Sequence, residues 1–222
     1  MEALAVIWSP VSALARVVEE RRVLLGFSVT ALYAALSLIG ASLAVFGGLT
    51  QVQFQQPGGS APPPMLEDLL PAINVFSVVF AAASPFVLWL LVSGLMHLIT
   101  RFFGGTGPFS KMLAAVGVAQ VPLVIASVLQ LPVVGLEAAL DPQGTPAAIA
   151  GLLSSLLGLL ALLWFIVLVI IGAALARQVG YGESAGSCAI SCTGCVGLIL
   201  IVVVFVVLVA VLVGAAGSGG PS

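Results

Sequence analysis

The few charged residues of this 222-residue chain fall in short groups and leave five charge-free intervals, at 23–66, 69–100, 112–136, 142–176 and 184–222. A helix rises 1.5 Å per residue, so about 20 mainly apolar residues cross the hydrocarbon of a bilayer. Trimmed of their Gly, Pro and polar edges, the intervals become expected spans at 23–47, 71–99, 112–135, 147–176 and 187–214. A transmembrane barrel would show short segments of alternating polarity, whereas Leu198 to Val213 is apolar at every position. Backbone groups in lipid must then be satisfied inside each helix. The expected fold is therefore all-α: a polytopic transmembrane helical bundle of five spans, forming a single membrane domain over 1–222.

Composition removes the alternatives. Charged residues make up 6% of the chain, against about 25% in soluble domains. A net charge of −2 and the absence of any Lys/Arg cluster interleaved with aromatics exclude a nucleic-acid footprint. The six basic residues are sided. Arg16, Arg21 and Arg22 precede the first expected span, Arg101 and Lys111 lie between the second and third, and Arg177 follows the fourth. With five spans all six share one face, which the positive-inside rule makes cytoplasmic, placing the N-terminus inside and the C-terminus outside. The first apolar run exceeds a signal-peptide core of about 7–15 residues and is expected to remain as a span. The stretch from Thr50 to Asp68, rich in Gln, Gly and Pro, reads as an irregular outer loop.

Ahead of the first span, Ser9 stands where it can cap a helix whose first residue is Pro10. Val11, Leu14, Ala15 and Val18 then share a face that Arg16, Glu19, Glu20 and Arg22 largely avoid. The expectation is an interfacial amphipathic helix over about 10–22, with Trp8 at headgroup level. Within the spans, Gly26, Thr30 and Ala34, and again Ser154, Gly158 and Ala161, form small-residue stripes along which helices approach closely. Pro85, Pro122 and Pro132 each remove a backbone hydrogen bond, and Ser84, Gln120 and Gln130 stand near enough to serve the freed carbonyls.

Candidate chemistry is sparse. Ser93 and His97 carry the residue types of an intramembrane serine protease, but both lie on one helix, and nucleophile and base need facing side chains. Glu19-Glu20-Arg21-Arg22 lies outside the spans, and His97 is the sole histidine, so no second imidazole completes a protease site. Cys188, Cys192 and Cys195 fall at i, i+4 and i+7, and with His97 they offer the ligand types of a structural zinc site. One helix does not converge three sulfurs on a point, and thiols are comfortable among apolar neighbours. The reading taken is no metal, no cofactor and no catalytic residue. Every charge lies at a span boundary, which argues against an ion-coupled transporter. A neutral-solute pathway past Asn74, His97 and Gln120 stays open as the alternative. Gly104-Gly105-Thr106-Gly107-Pro108 reads as a turn or, through free N–H groups beside Lys111, as a phosphate cradle.

The order of features resembles the Yip family, the Ypt/Rab-interacting integral membrane proteins and their prokaryotic relatives. Trp8-Ser9-Pro10 carries the likeness, followed by His97-Leu98-Ile99-Thr100-Arg101-Phe102-Phe103-Gly104-Gly105-Thr106-Gly107-Pro108-Phe109. Gly117, Gln120-Val121-Pro122, Trp164, Gly172 and Val179-Gly180-Tyr181-Gly182 continue it. The resemblance implies a five-span bundle without enzymatic activity, in the cell membrane of a prokaryote, acting through membrane or cytoplasmic protein partners or on membrane organisation, with homo-oligomers allowed. It marks His97, Arg101, Gly104, Gly105, Gly107, Pro108, Gln120, Pro122 and Trp164 as motif or interaction candidates. A small channel or permease for neutral solutes or lipids is the reading from a different class.

Overall fold

The structure is a computed structural model that describes residues 4–47, 64–139, 145–191 and 193–194. Its helices are α1 (Ala5–Trp8), α2 (Pro10–Glu19), α3 (Val23–Phe46), α4 (Pro64–Phe102), α5 (Phe109–Ala119), α6 (Val121–Ala139) and α7 (Thr145–Arg177). A further helix, α8, covers 181–191. No strand occurs among the described residues. Four stretches there are long and apolar enough to cross a membrane: Val23–Phe46, Pro71–Phe102, Phe109–Leu136 and Ile149–Arg177. Most of the fifth expected span, 187–214, lies outside the described residues. One boundary needs correction, because α4 begins at Pro64, so Glu67 and Asp68 are helical and not part of an outer loop. Proline pre-sets the first helical residue and acids favour the first turn, so this stretch is a good helix start despite its loop-like composition.

Sequence makes α5 the centre of the bundle. Met112 and Ala114 through Ala119 are all buried, and a helix buried on every side has no lipid face. The span it opens with α6 is 61% buried, against 17% for α3 and 11% for α4. The small side chains let neighbours approach to backbone contact. A Cβ on Gly117 would fall 2.5 Å from the Cα of Gly26, so α3 and α5 meet glycine to glycine. Gly172 gives α7 the same access to Ala115, where an added Cβ would lie 3.0 Å from the alanine methyl. Gly26, Thr30 and Ala34 are buried along one stripe of α3. Lipid contributes no hydrophobic drive between helices, so this close packing is what holds them together.

The amphipathic segment docks on protein. Ala13, Leu14, Val17 and Val18 form the buried face of α2, while Val11 is exposed. The face is thus turned from the one expected, and it packs against α5 and α7, with Val18 meeting Ala115 and Ala176. The small side chains of Ala115 on α5 and Ala176 on α7 let α2 approach closely here, and that close packing favours the contact. Ser9 occupies the N-cap position before Pro10, but its hydroxyl donates to Ala5 O at 3.1 Å and caps nothing. Trp8 remains 86% exposed, available to the headgroup region.

Polar side chains mend the backbone where proline and packing disturb it. Ser84 Oγ donates to Ala81 O at 3.4 Å, the carbonyl that Pro85 leaves without its usual donor. The third span breaks beside Pro122, where α5 gives way to α6. Pro85 and Pro132 sit inside unbroken helices. Gln130 Nε2 reaches across to Ser154 O at 2.9 Å and ties α6 to α7. Trp89 Nε1 donates to Leu113 O at 2.9 Å and ties α4 to α5. Trp89→Phe keeps most of the ring's packing and deletes this bond, so thermal unfolding in detergent should show a loss of about 1 kcal/mol. An unchanged midpoint would mean that the bond contributes nothing to the α4–α5 contact.

Candidate functional site at the basic end

Three helices end at the basic side with the same device. Arg21 (φ 51°), Gly104 (φ 81°) and Gln178 (φ 57°) are left-handed, each just past the end of α2, α4 or α7. Behind each, an N–H reaches back to a carbonyl in the last turn: Arg22 N to Val17 O, Gly105 N to Thr100 O, and Val179 N to Ala174 O. This is the 6→1 bond of a Schellman ending. After α7 the chain turns into α8, whose first turn Glu183 closes by accepting from Gly180 N at 2.6 Å. That is half of a capping box. Ser184 Oγ then donates to Ile170 O at 2.7 Å and pins α8 to α7.

The glycines of the α4–α5 turn exist for Arg177. Its side chain is 2% exposed, with Nε donating to Thr100 Oγ1 at 3.2 Å and Nη2 to Gly105 O. Thr100 Oγ1 in turn donates to Met96 O at 2.6 Å. Thr106 N returns a bond to Arg177 O at 3.1 Å. A Cβ on Gly105 would stand 2.9 Å from Thr100 O, and one on Gly107 would stand 1.8 Å from Ala176 O. The loop therefore lies flush on the end of α7. Phe103, Gly104, Gly105 and Thr106 all donate their N–H groups within the protein. These four amides are consumed by the fold and are not free to cradle a phosphate.

His97 lies one turn before Arg101 and packs edge-on against Phe109, with ring centroids 5.2 Å apart. Its Nδ1 is buried and makes no hydrogen bond. Ser93 Oγ is likewise buried and unpartnered, so the two side chains do not form a nucleophile–base pair. Cys188 is buried in the core, an unsuitable place for acylation. Cys192 and Cys195 lie outside the described residues. Among the described residues no three His, Cys, Asp or Glu side chains converge as metal ligands.

The remaining candidates are scattered. Gln120 is buried at the α5–α6 break with Oε1 unpartnered. Pro122 and Trp164 share a groove of about 200 Å³ with Ile125, Ala126 and Ala161. Asn74 lines a different, apolar cleft of about 450 Å³ with Val45, Phe46 and Pro71, and neither His97 nor Gln120 borders it. A groove of about 420 Å³ lies between α6 and α7, lined by Gln130, Val134, Gly151, Ser154, Ser155 and Gly158. The structure thus joins His97, Arg101, Gly104, Gly105, Gly107 and Pro108 at one end, and leaves Gln120, Pro122 and Trp164 deeper in the bundle. Sequence reasoning treated Arg177 only as a topological marker and gave Thr100 no role. A lone cation closing a 35-residue charge-free run, opposite a glycine-rich turn, was the available signal.

Comparison with known proteins agrees with this architecture. The Yip1 domain matches residues 4–216. An uncharacterised protein of Methanocaldococcus jannaschii is 28% identical over 71 residues, covering 32% of this chain and 50% of that protein. The chain thus spans about half the length of the curated relative it matches. No solved structure matches. With apolar helices long enough to cross a bilayer and a family match over nearly its whole length, the chain is a multi-pass integral membrane protein belonging to the Yip1 domain family.

Proposed function

We propose that this single-domain, five-span protein is non-catalytic and acts through membrane or cytoplasmic protein partners, or on membrane organisation. In this reading its N-terminus and basic end face the cytoplasm of a prokaryote and its C-terminus lies outside. The observation that carries it is the use made of the polar groups at the basic end. Arg177, Thr100 and Gly105 hold helix ends together and leave no reacting constellation. Glycine contact between α3 and α5 also closes the interior at that level.

The competing permease reading draws on the groove where Gln130 and Ser154 meet. Vesicles containing the purified protein should pass glycerol and urea no faster than empty ones. Flux that vanishes on His97→Leu or Gln120→Leu would overturn the partner reading in favour of transport. Tags on the two termini should label from opposite sides of the membrane; labelling from one side would mean an even number of spans. Co-purification from native membranes identifies the partner.

A further inference from the structure

We propose that the side chains around the α4–α5 turn bind the phosphate of an anionic membrane lipid, with Arg101 as the direct contact and Arg177 and His97 as the wall behind it. The first observation is unbalanced charge. Arg177 Nε is hydrogen-bonded to Thr100 Oγ1, next in sequence to Arg101, and His97 lies one turn before Arg101 on α4, so the three groups border the same end of that helix. Among the described residues, no carboxylate pairs with Arg101 or Arg177, and the ion pair found there joins Glu20 and Arg22. Glu183, the acid nearest Arg177 in sequence, accepts from Gly180 N and forms no ion pair with Arg177. Arg177 gives its hydrogen bonds to the neutral oxygens of Thr100 and Gly105, which orient the guanidinium without cancelling its charge. Two like charges at one helix end repel, and a bound anion lowers that repulsion.

The second observation selects a lipid as the source of that anion. Phe102 and Phe103, directly after Arg101, are 84% and 43% exposed where a membrane span ends. The turn thus presents exposed apolar surface and positive charge side by side at the end of a span. A lipid phosphate on its glycerol and acyl chains matches both, whereas a free phosphate matches only the charge. The amides of Phe103 to Thr106 are occupied internally, so along that stretch the side chains make the site.

The test uses the full chain in neutral detergent, titrated with phosphatidylglycerol, phosphatidylcholine or glycerol phosphate, with binding followed by native mass spectrometry and thermal midpoint. Phosphatidylglycerol is expected to bind and raise the midpoint, and the other two are not. Arg101→Gln, a change at an exposed position, should weaken phosphatidylglycerol binding about five-fold. Arg16→Gln, which removes the same charge from exposed α2, should leave it unchanged. Equal losses in the two variants would overturn the site in favour of a diffuse basic surface. Equal binding of phosphatidylcholine would overturn the anion requirement, and equal binding of glycerol phosphate would make the ligand a soluble phosphate. These outcomes do not depend on span number or on transport, so they stand apart from the proposed function.

Discussion

Gly117→Val is expected to disassemble the centre of the bundle. The first added carbon would lie 2.5 Å from Gly26 Cα and 2.7 Å from Gly26 O, both backbone atoms that no rotamer change can move aside. Overpacking a core by a few methylenes costs about 1–3 kcal/mol when side chains can yield. Here α3 must move as a body, so a loss at or above the top of that range is expected, seen as a much lower thermal midpoint or as aggregation on size-exclusion chromatography. Gly117→Ala should show the same direction with a smaller loss. A valine variant as stable as the wild type would mean that α3 and α5 do not meet through these glycines.

The second large effect is expected at Arg177. Arg177→Ala strands Gly105 O and Thr100 Oγ1, which the guanidinium serves, and leaves the space of a long side chain that is 2% exposed. Hydrogen bonds from a charged donor contribute about 1.5–3 kcal/mol each, and losing two together with the packing should cost about 3 kcal/mol. Thr100→Val removes one acceptor and should cost about 1 kcal/mol. The double variant should lose less than the two single changes added together, because both act on one bond. Strict additivity in chemical or thermal unfolding would mean that Thr100 and Arg177 stabilise the protein independently.

These two positions show how far reading the residues reached. Gly26 was legible as part of a small-residue stripe, because spacing by four on a helix is visible in one dimension and small residues in lipid imply a close neighbour. Its partner was not. Gly117 has the same composition signal as the many other glycines of the chain, and which two meet depends on how the helices are arranged around α5. Ser84 was placed correctly because its partner, the carbonyl freed by Pro85, lies in the same turn. Gln130 bonded to α7 instead of mending its own helix, since a neighbouring carbonyl, Ser154 O, was within reach. The amphipathic helix is legible in the sequence, but which of its residues face the bundle is not. Its pattern encodes an apolar face without saying whether lipid or protein covers it.

What the chain determined unaided was its solvent and its elements. Charge-free runs of span length require helices in lipid, and the basic residues gather at one end whatever the packing. Tertiary structure alone decided that Arg177 is buried between Thr100 and Gly105, that the glycine turn is pressed onto α7, and that α5 is the hub. Those contacts join residues far apart in the chain; Gly26 and Gly117, for example, are 91 positions apart. In lipid, moreover, hydrophobicity does not distinguish the inside of a bundle from its outside. Only the steric fit of small residues and a few hydrogen bonds make that choice, and both are properties of the assembled helices.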